Sequence, residues 1–452
     1  MDEGTIAAIS TPLGEGGIGI VRLSGPDAIR IASGLFRSPR SRRLTDAPTH
    51  TIHYGHIVVA DRVVDEVLVS VLRAPRTYTR EDVVEINCHG GVVATRAVLD
   101  AVLAAGARMA ERGEFTERAF LNGRISLDQA KAVLDVVQAR TTLGLEAAVD
   151  RLGGRFSDAL DRMRRSLAEI LADLEIEIDY PDVDVDVDAV LPRIEALSQR
   201  VDVLLAQSEG GRVIREGLTV AIVGRPNVGK STLLNALLAE ERAIVTPIPG
   251  TTRDTIEEEA SLGGVPVRWI DTAGLREPAD PVEAEGVRRT ERAIDRSDLV
   301  VCLLDRSEPL TREDREILER PWDVPSILVI NKIDLPDRLG DLPTVRLTER
   351  IEVSAKDGTG VGDLREAIVR LLLGGQLPTR NSVLLLDAWE RDLIRRVGAS
   401  LRQAAETARA GQSADMIAED LRMAYRTGGE LQGIDVSESI LDAVFERFCV
   451  GK

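Results

Sequence analysis

The chain is poor in aromatic residues, in cysteine and in positive charge. Phe, Trp and Tyr make up only 3% of its 452 residues, so its hydrophobic cores must be built mainly from Leu, Val, Ile and Ala. Three cysteines (Cys88, Cys302 and Cys449) are too few for a disulfide framework, and their odd number favours a reducing compartment. The formal net charge of -18 argues against a phosphate-rich partner unless Lys and Arg are locally concentrated.

Long apolar segments are also lacking. No uncharged apolar run reaches the roughly 18 residues that suggest a membrane span, and the N-terminal sequence MDEGTIAAIS is acidic rather than basic. We therefore expect a cytosolic protein with neither a membrane span nor a secretory signal. At 452 residues the chain exceeds what one hydrophobic core usually organises, so two or three domains are expected.

The pattern of apolar residues changes along the chain. Residues 1–118 mix short β-branched runs with helical periods and predict an α/β domain. Residues 119–216 repeat apolar residues at spacings of three and four, which predicts helices. Residues 217–375 alternate strand and helix, as a doubly wound parallel sheet does, and residues 376–452 are helical after a linker-like QLPTRNS. We infer a multidomain protein in which an α/β domain is inserted into a discontinuous all-α helical domain.

A glycine-rich loop follows the first strand of the inserted domain. The strand TVAIVG runs into GRPNVGKST and then into the helix TLLNALLAEE, which is the context that a GxxxxGK[ST] motif requires. Backbone N–H groups of such a loop and the positive end of the helix suit phosphate oxygens. Lys230 is expected to reach the β- and γ-phosphates, and the Ser231 hydroxyl to ligate Mg²⁺.

Further motifs decide which base is bound. The aspartate of the DTAG motif, Asp271, can hold Mg²⁺ through water, and Thr252 in PGTTRD is the expected second Mg²⁺ ligand. The Asp334 carboxylate in NKID can accept from guanine N1 and N2, whereas adenine's acceptor-bearing edge would repel it. Together with the SAK sequence, these motifs predict a Ras-like α/β P-loop GTPase domain. The expected GTP site comprises Asn227, Val228, Gly229, Lys230, Ser231, Thr232, Thr251, Thr252, Asp271, Thr272, Ala273, Gly274, Asn331, Lys332, Asp334, Ser354, Ala355 and Lys356.

The residue after the DTAG motif cannot orient an attacking water. Ras-type enzymes have glutamine there, and this chain has Leu275. The charged segment 276–292 contains Glu277, Glu283 and Glu285, one of which could act through a bridging water, although such a run is usually a solvated helix face. Arginine is scarce in the loop, so a bound ion could take the place of an arginine finger.

Motifs across the whole chain resemble the MnmE (TrmE) family of tRNA-modification GTPases, within the TrmE-Era-EngA-like class. They are TPLGEGGIGIVRLSGPDA, GEFTERAFLNGRISLDQAKAV, IVTPIPGTTRD, DTAGLRE and FCVGK. The resemblance implies a homodimer formed through the N-terminal domain. With tRNA and an FAD-containing partner, MnmG (GidA), the family adds an aminomethyl or carboxymethylaminomethyl group at C5 of the wobble uridine of certain tRNAs. Arg112 stands where the family usually has Pro, and Arg124 where Lys is common.

The same resemblance assigns further residues. It implies hydrolysis activated when two G domains meet with K⁺ at the contact, and Glu283 as the residue that orients water. It also implies a one-carbon donor, 5,10-methylenetetrahydrofolate or a 5-formyltetrahydrofolate-like compound, in the N-terminal domain. Cys449 is either an ordinary packed side chain or a reactive thiol near the folate. The implied K⁺ ligands are Asn227, Thr246, Ile248 and Thr251, the implied folate contacts are Arg22, Glu85, Arg124 and Lys452, and Pro247, Pro249 and Gly250 complete the nucleotide site.

Two other functions remain open. One is a ribosome-assembly or RNA-binding GTPase switch without modification chemistry, although such proteins typically carry a second cassette or a basic tail. The other is a scaffold that binds nucleotide without turnover, which the intact Lys230, Ser231 and Thr252 disfavour. Because the chain is acidic, we expect the flavoprotein to supply much of the RNA contact, helped by Arg clusters at 37–43 and 162–166.

Overall fold

A computed structural model describes residues 4–39, 43–180, 187–238, 257–271, 294, 296–343, 347–373, 379, 383–434 and 437–452. The chain divides into two compact units. The terminal unit contains Met1–Leu134, Leu152–Ala172 and Arg422–Lys452, and the central unit contains Asp135–Arg151 and Asp173–Leu421. Within the described ranges, no helix has the length and apolarity needed to cross a membrane. The four-part division at residues 118, 216 and 375 stays a prediction.

A seven-stranded sheet organises the terminal unit. Its strand order is β3-β4-β5-β6-β2-β1-β7, and every pair except β1–β7 is antiparallel. The sequence run HIVVADRVVDEVLVSVLRA forms a hairpin that turns at Ala60 and Asp61, both with positive φ, as a two-residue turn requires. The strands are β1 (Ile6–Ile9), β2 (Ile18–Ser24), β3 (Phe36–Arg37), β4 (Thr51–Val59), β5 (Arg62–Leu72), β6 (Val83–His89) and β7 (Arg108–Met109).

One face of this sheet is buried beneath two helices. Alternate residues of β5, namely Val67, Val69 and Val71, join the core formed with α1 (Ala28–Leu35) and α2 (Val92–Ala104). Side chains on the other face of the sheet, among them Tyr54 of β4 and Leu68 of β5, are exposed. This is the period of two that a sheet with one buried face produces.

The last residues of the chain belong to the terminal unit and pack beside the helix that follows β7. Phe445 and Phe448 are buried with Ala130 and Leu134. The elements concerned are α3 (Glu114–Leu121), α4 (Leu127–Gln138), which runs on into the central unit, and α13 (Glu438–Phe445). The N-terminal domain and the C-terminal segment therefore share one folded body, which helical periodicity alone does not reveal.

The central unit contains a six-stranded sheet with the order β13-β12-β11-β8-β10-β9. Its strands are β8 (Leu218–Val223), β9 (Glu257–Leu262), β10 (Val265–Asp271), β11 (Leu299–Asp305), β12 (Ser326–Asn331) and β13 (Glu349–Glu352). All neighbouring pairs are parallel except β9–β10, an antiparallel hairpin that turns at Gly263 and Gly264. The expected doubly wound sheet is thus present, with an unexpected antiparallel edge strand.

Helices complete both units. The acidic stretch near Pro181, expected to break the helices, separates α6 from α7, and residues 181–186 lie outside the described ranges. The predicted combination of an α/β N-terminal part, long helices and a P-loop domain is confirmed. The remaining helices are α5 (Thr142–Leu152), α6 (Arg155–Asp179), α7 (Val187–Glu216), α8 (Lys230–Leu238), α9 (Arg312–Glu319), α10 (Val361–Leu373), α11 (Ala388–Arg409) and α12 (Ala414–Leu431).

Candidate nucleotide and folate sites

The phosphate-binding loop connects β8 to α8 in the middle of the central sheet. Asn227 and Gly229 both have positive φ, a backbone conformation that recurs in turns whose successive N–H groups bind anions. A Cβ on Gly229 would collide with the Asn331 side-chain nitrogen, so only glycine fits there. Strand order reverses beside β8, and the carboxyl-end crevice at such a switch point is where doubly wound sheets bind ligands.

Lys230, at the first position of α8, is nearly buried at 6% exposure. Its Nζ donates to the Gly224 carbonyl at 2.6 Å and to the Arg225 carbonyl at 3.0 Å. The ammonium is therefore held against the loop itself, beside the positive end of a helix. A positive charge beside a helix N-terminus suits a polyphosphate. This agrees with the predicted role of Lys230, which Ser231 follows directly in the motif.

Asn331 joins the phosphate-binding loop to the base-binding loop. Its Nδ2 donates to the Val228 carbonyl at 2.8 Å, and its Oδ1 accepts from the Ala355 backbone N–H at 3.0 Å. The side chain is 2% exposed, so both bonds are shielded from water. Three of the predicted motifs are therefore fixed relative to one another by one amide.

Asp305 is a site residue that the sequence reasoning missed. Lys332 Nζ donates to Asp305 Oδ2 at 2.6 Å and to the Asn227 carbonyl at 3.0 Å. Burial alone would raise the pKa of Asp305, but bonds from Lys332 and Ser307 hold it below its usual value. The signal was available, because an aspartate at the end of the buried strand LVVCLLD must lie beside the end of the neighbouring strand that carries Asn331.

The carboxylate predicted to select the base, Asp334, follows β12. Ser354 Oγ donates to Asp334 Oδ1 at 2.9 Å, which orients the carboxylate while leaving it exposed. Ser354 itself is fully buried, and Lys356 follows it in the exposed part of the same loop. Asp334 and the SAK sequence are thus brought together, and the contact of this pair with guanine stays a prediction.

Part of the expected site lies outside the described residues. This applies to the switch loop from Thr246 to Thr252, to residues 272–274 and to Glu283. The β10 strand, which pairs with β8, ends at Asp271, so the backbone of the predicted Mg²⁺-linked aspartate reaches the same sheet edge as the phosphate-binding loop.

The predicted folate residues all lie in the terminal unit. Arg22 and Glu85 form an ion pair at 2.9 Å across β2 and β6, and the Arg22 guanidinium lies 5.8 Å from the centre of the Phe115 ring. The Arg124 guanidinium stacks on Tyr78 at 4.8 Å. Helix α3 links the two groups, because it carries both Phe115 and Thr116, and the Thr116 hydroxyl lies 3.0 Å from the Tyr78 hydroxyl.

The C-terminal residues are held against the start of α3. Arg112 Nε donates to the Phe448 carbonyl at 3.0 Å, and Ser10 Oγ donates to the Gly451 carbonyl at 3.2 Å. Lys452 is half-buried and closes a turn onto the Cys449 carbonyl at 3.4 Å. Cys449 is exposed between the two anchored carbonyls, so the interpretation of this thiol as an ordinary packed side chain is wrong.

The central site has a glycine-rich loop, a lysine at a helix N-terminus and a carboxylate for the base, all at the carboxyl edge of a largely parallel sheet. These features define a P-loop GTPase. Two family descriptions match the chain: "GTP-binding protein TrmE N-terminus" over residues 5–124 and "MnmE helical domain" over residues 127–449.

Curated relatives match the chain along its whole length. The tRNA modification GTPase MnmE of Geobacillus kaustophilus is 47% identical, with 99% of each chain covered. The MnmE proteins of Chloroflexus aurantiacus and Bacillus subtilis are 48% and 44% identical, each over 99% of this chain and over 99% and 100% of their own. The chain therefore belongs to the MnmE family of tRNA-modification GTPases, and it is a GTP hydrolase.

Among solved structures, an Era variant of Aquifex aeolicus bound to GDP.AlF4- is 29% identical and covers 40% of this chain and 66% of its own. Its TM-score is 0.28.

Proposed function

We propose that this protein couples GTP hydrolysis in the central unit to one-carbon chemistry in the terminal unit. With an FAD-containing MnmG partner, it would install an aminomethyl or carboxymethylaminomethyl group at C5 of the wobble uridine of certain tRNAs, in the cytoplasm. The observation that carries the proposal is that the chain matches relatives named tRNA-modification GTPases over nearly their full length.

The charged side chains in the terminal unit suit a tetrahydrofolate derivative. The Glu85 carboxylate is an acceptor that suits the N–H groups of a pterin ring, and Arg22 holds that carboxylate in place. Arg124, stacked on the Tyr78 ring, and Lys452 are cations that suit the carboxylates of the folate tail. When bound, the folate supplies the one-carbon unit. Loss of folate binding in Glu85→Gln with normal GTP turnover would support this assignment, and unchanged folate binding would contradict it.

The exposed face of the seven-stranded sheet supports the proposed homodimer. Ile52 and Tyr54 of β4, Leu68 of β5 and Ile18 of β2 are 67%, 50%, 47% and 64% exposed. They lie on the face opposite α1 and α2, which also carries the Arg22–Glu85 pair. We propose that a second copy of the chain covers this face, because exposed apolar side chains gathered on one surface mark interaction sites. Sedimentation of Leu68→Glu as a monomer would support the dimer, and an unchanged assembly would exclude this face.

For hydrolysis, we propose that K⁺ supplies the positive charge that an arginine finger supplies elsewhere. Asn227 offers a hard oxygen ligand beside the phosphates, Thr246, Ile248 and Thr251 would complete the site when two G domains meet, and Ser231, Thr252 and Asp271 would hold Mg²⁺. Leu275 cannot orient water, so Glu283 takes that role. Turnover in K⁺ but not in Na⁺ is expected, and equal turnover in the two salts would remove the ion from the mechanism.

The net negative charge of the chain disfavours extensive direct contact with RNA. Within the cluster at 162–166, Arg164 is stacked on Tyr425 at 4.5 Å and bonded to Gln432, so it serves the fold. Arg162 and Arg165 are exposed and remain candidates for phosphate contact. Residues 40–42 of the other cluster lie outside the described residues.

Nucleoside analysis of tRNA from a deletion strain tests the proposed function. We expect the C5 side chain of the wobble uridine to be lost, and to return with the wild-type gene but not with Lys230→Ala. Intact tRNA nucleosides together with a defect in ribosomal subunits would instead favour the ribosome-assembly alternative. Restoration by Lys230→Ala would separate GTP hydrolysis from the modification.

A further inference from the structure

The arginine in the phosphate-binding loop is already engaged by two carboxylates. Arg225 Nη1 lies 2.7 Å from Glu308 Oε2, and its Nε lies 3.2 Å from Asp314 Oδ2. The Arg225 side chain is 14% exposed, Asp314 is 2% exposed, and Glu308 is 55% exposed. The guanidinium therefore faces away from solvent, toward the start of α9.

The partner carboxylate is itself fixed. Asp314 is the third residue of α9, and it accepts from the Thr311 backbone N–H at 3.0 Å while the Thr311 hydroxyl accepts from the Asp314 N–H at 3.2 Å. This reciprocal capping box ties the carboxylate to the first turn of the helix. Arg225 thus pairs with a carboxylate whose position is set by α9, so movement of the phosphate-binding loop would break the ion pair.

The backbone of the same residue faces the catalytic lysine. The Arg225 carbonyl accepts from Lys230 Nζ at 3.0 Å. One residue earlier, a Cβ on Gly224 would lie 2.6 Å from the Leu303 carbonyl, so the loop starts in close contact with β11. Two residues later, the Asn227 carbonyl is held by Lys332. Arg225 therefore lies between two loop positions, Gly224 and Asn227, that are both held by contacts with the rest of the domain.

We propose that Arg225 is a positioning residue for GTP hydrolysis. It anchors the phosphate-binding loop to Glu308 and to Asp314 in the first turn of α9, so that Lys230 and Asn227 stay in place, and it does not contact the phosphates itself. The proposal rests on GTP hydrolysis alone and is independent of the tRNA chemistry. The pKa of Arg225 agrees with it: burial alone would lower this pKa, but Glu308 and Asp314 raise it above its usual value.

Loss of the anchor has a kinetic consequence. Without the guanidinium, Asp314 keeps a buried charge whose partner is gone, and the loop residues between Gly224 and Asn227 lose their only ion-pair contact with α9 among the described residues. Small displacements of groups that bind a reacting phosphate cost rate as well as affinity, up to about a hundredfold for a shift of roughly 1 Å. Both KM and kcat for GTP should therefore change.

The test compares steady-state GTP hydrolysis by the full-length protein, by four single variants and by one double variant. We expect Arg225→Gln to lower kcat/KM about tenfold through both a higher KM and a lower kcat, and Arg225→Lys to recover part of the loss. Glu308→Gln should shift both constants in the same direction, about threefold, and add nothing to Arg225→Gln in the double variant. The matched control is Arg312→Gln on α9, because Arg312 is 92% exposed and, among the described residues, its ion pair is with Glu316.

Two results would overturn the proposal. If Glu308→Gln left turnover unchanged or raised it while Arg225→Gln lowered kcat at constant KM, Arg225 would be contacting the phosphates directly. If Arg225→Gln behaved like Arg312→Gln, the anchor would have no kinetic role. Should Arg225→Gln fail to fold, Glu308→Gln still decides the question, because Glu308 is largely exposed and its amide is not expected to disturb folding.

Discussion

Replacing Asn331 with aspartate changes one atom of the amide that bridges the two nucleotide-binding loops. The variant can still accept from the Ala355 N–H, but it can no longer donate to the Val228 carbonyl, which lies 2.8 Å from the present nitrogen. Two oxygens would then face each other at a site that is 2% exposed. The expected change is therefore a repulsion where there is now a hydrogen bond.

The magnitude follows from that geometry. The lost bond is worth about 1 kcal/mol, and the buried carbonyl left without a donor costs a further 1–3 kcal/mol or so. The sum of about 2–4 kcal/mol corresponds to nucleotide binding weaker by roughly 30-fold to 1000-fold. Burial also raises the pKa of a carboxyl group, and its protonated form can donate to Val228 again. Part of the affinity should therefore return as the pH falls, which Asn331→Ala cannot show.

Equilibrium titration with a fluorescent guanine nucleotide at pH 8 and pH 6 measures both effects. Asn235→Asp is the matched control, because it makes the same chemical change at an exposed position of α8. An Asn331→Asp dissociation constant within about twofold of the wild-type value would refute the bridging role. So would an equal loss in Asn235→Asp, since that would reflect added charge rather than geometry.

Three further outcomes are expected. Gly113→Ala should destabilise the terminal unit by about 2–4 kcal/mol in urea unfolding, because residue 113 has a φ of 73° and a Cβ there would lie 2.7 Å from the Phe445 carbonyl; wild-type stability would mean that the C-terminal segment is not docked there. Burial alone would raise the pKa of Glu114, but Arg108, the Glu111 N–H and Arg118 hold it below 4.5. A carboxylate with a lowered pKa stabilises the fold above its unfolded pKa, and this contribution is lost as the pH falls. The difference in unfolding free energy between wild type and Glu114→Gln should therefore shrink below pH 4.5. A difference that stayed constant with pH would contradict the pairing. Glu283→Ala should bind GTP normally and turn over about 100-fold more slowly or worse, and unchanged turnover would make Glu283 part of a solvated helix face.

The nucleotide site was the part of the molecule most open to prediction from sequence. Its motifs are local, and each follows a strand whose carboxyl end must reach the same sheet edge. The β9 strand was missed because its three glutamates have low β-propensity, although the Gly263–Gly264 pair is a hairpin signal. The ion pairs of Arg225 with Glu308 and Asp314 could not be predicted, because nothing in the sequence indicates which carboxylates a loop arginine will contact.

The terminal unit was harder to predict. The C-terminal motif was expected near the folate residues only through the family resemblance, and its docking beside Arg112 joins residues that are 336 positions apart. No periodicity carries information over that distance. Arg112 makes this contact through its side chain, and the proline that the family resemblance implies at this position has no side-chain donor with which to make it.

Base selection by Asp334 is the most direct test of the account. Its carboxylate, oriented by Ser354, should accept from the N–H groups of guanine, so the wild-type protein should hydrolyse GTP far faster than ATP or XTP. Asp334→Asn replaces an acceptor with a donor and should therefore prefer XTP, whose carbonyl can accept from the new amide. Turnover of ATP by the wild type at the GTP rate, or an Asp334→Asn variant that still prefers GTP, would contradict the account.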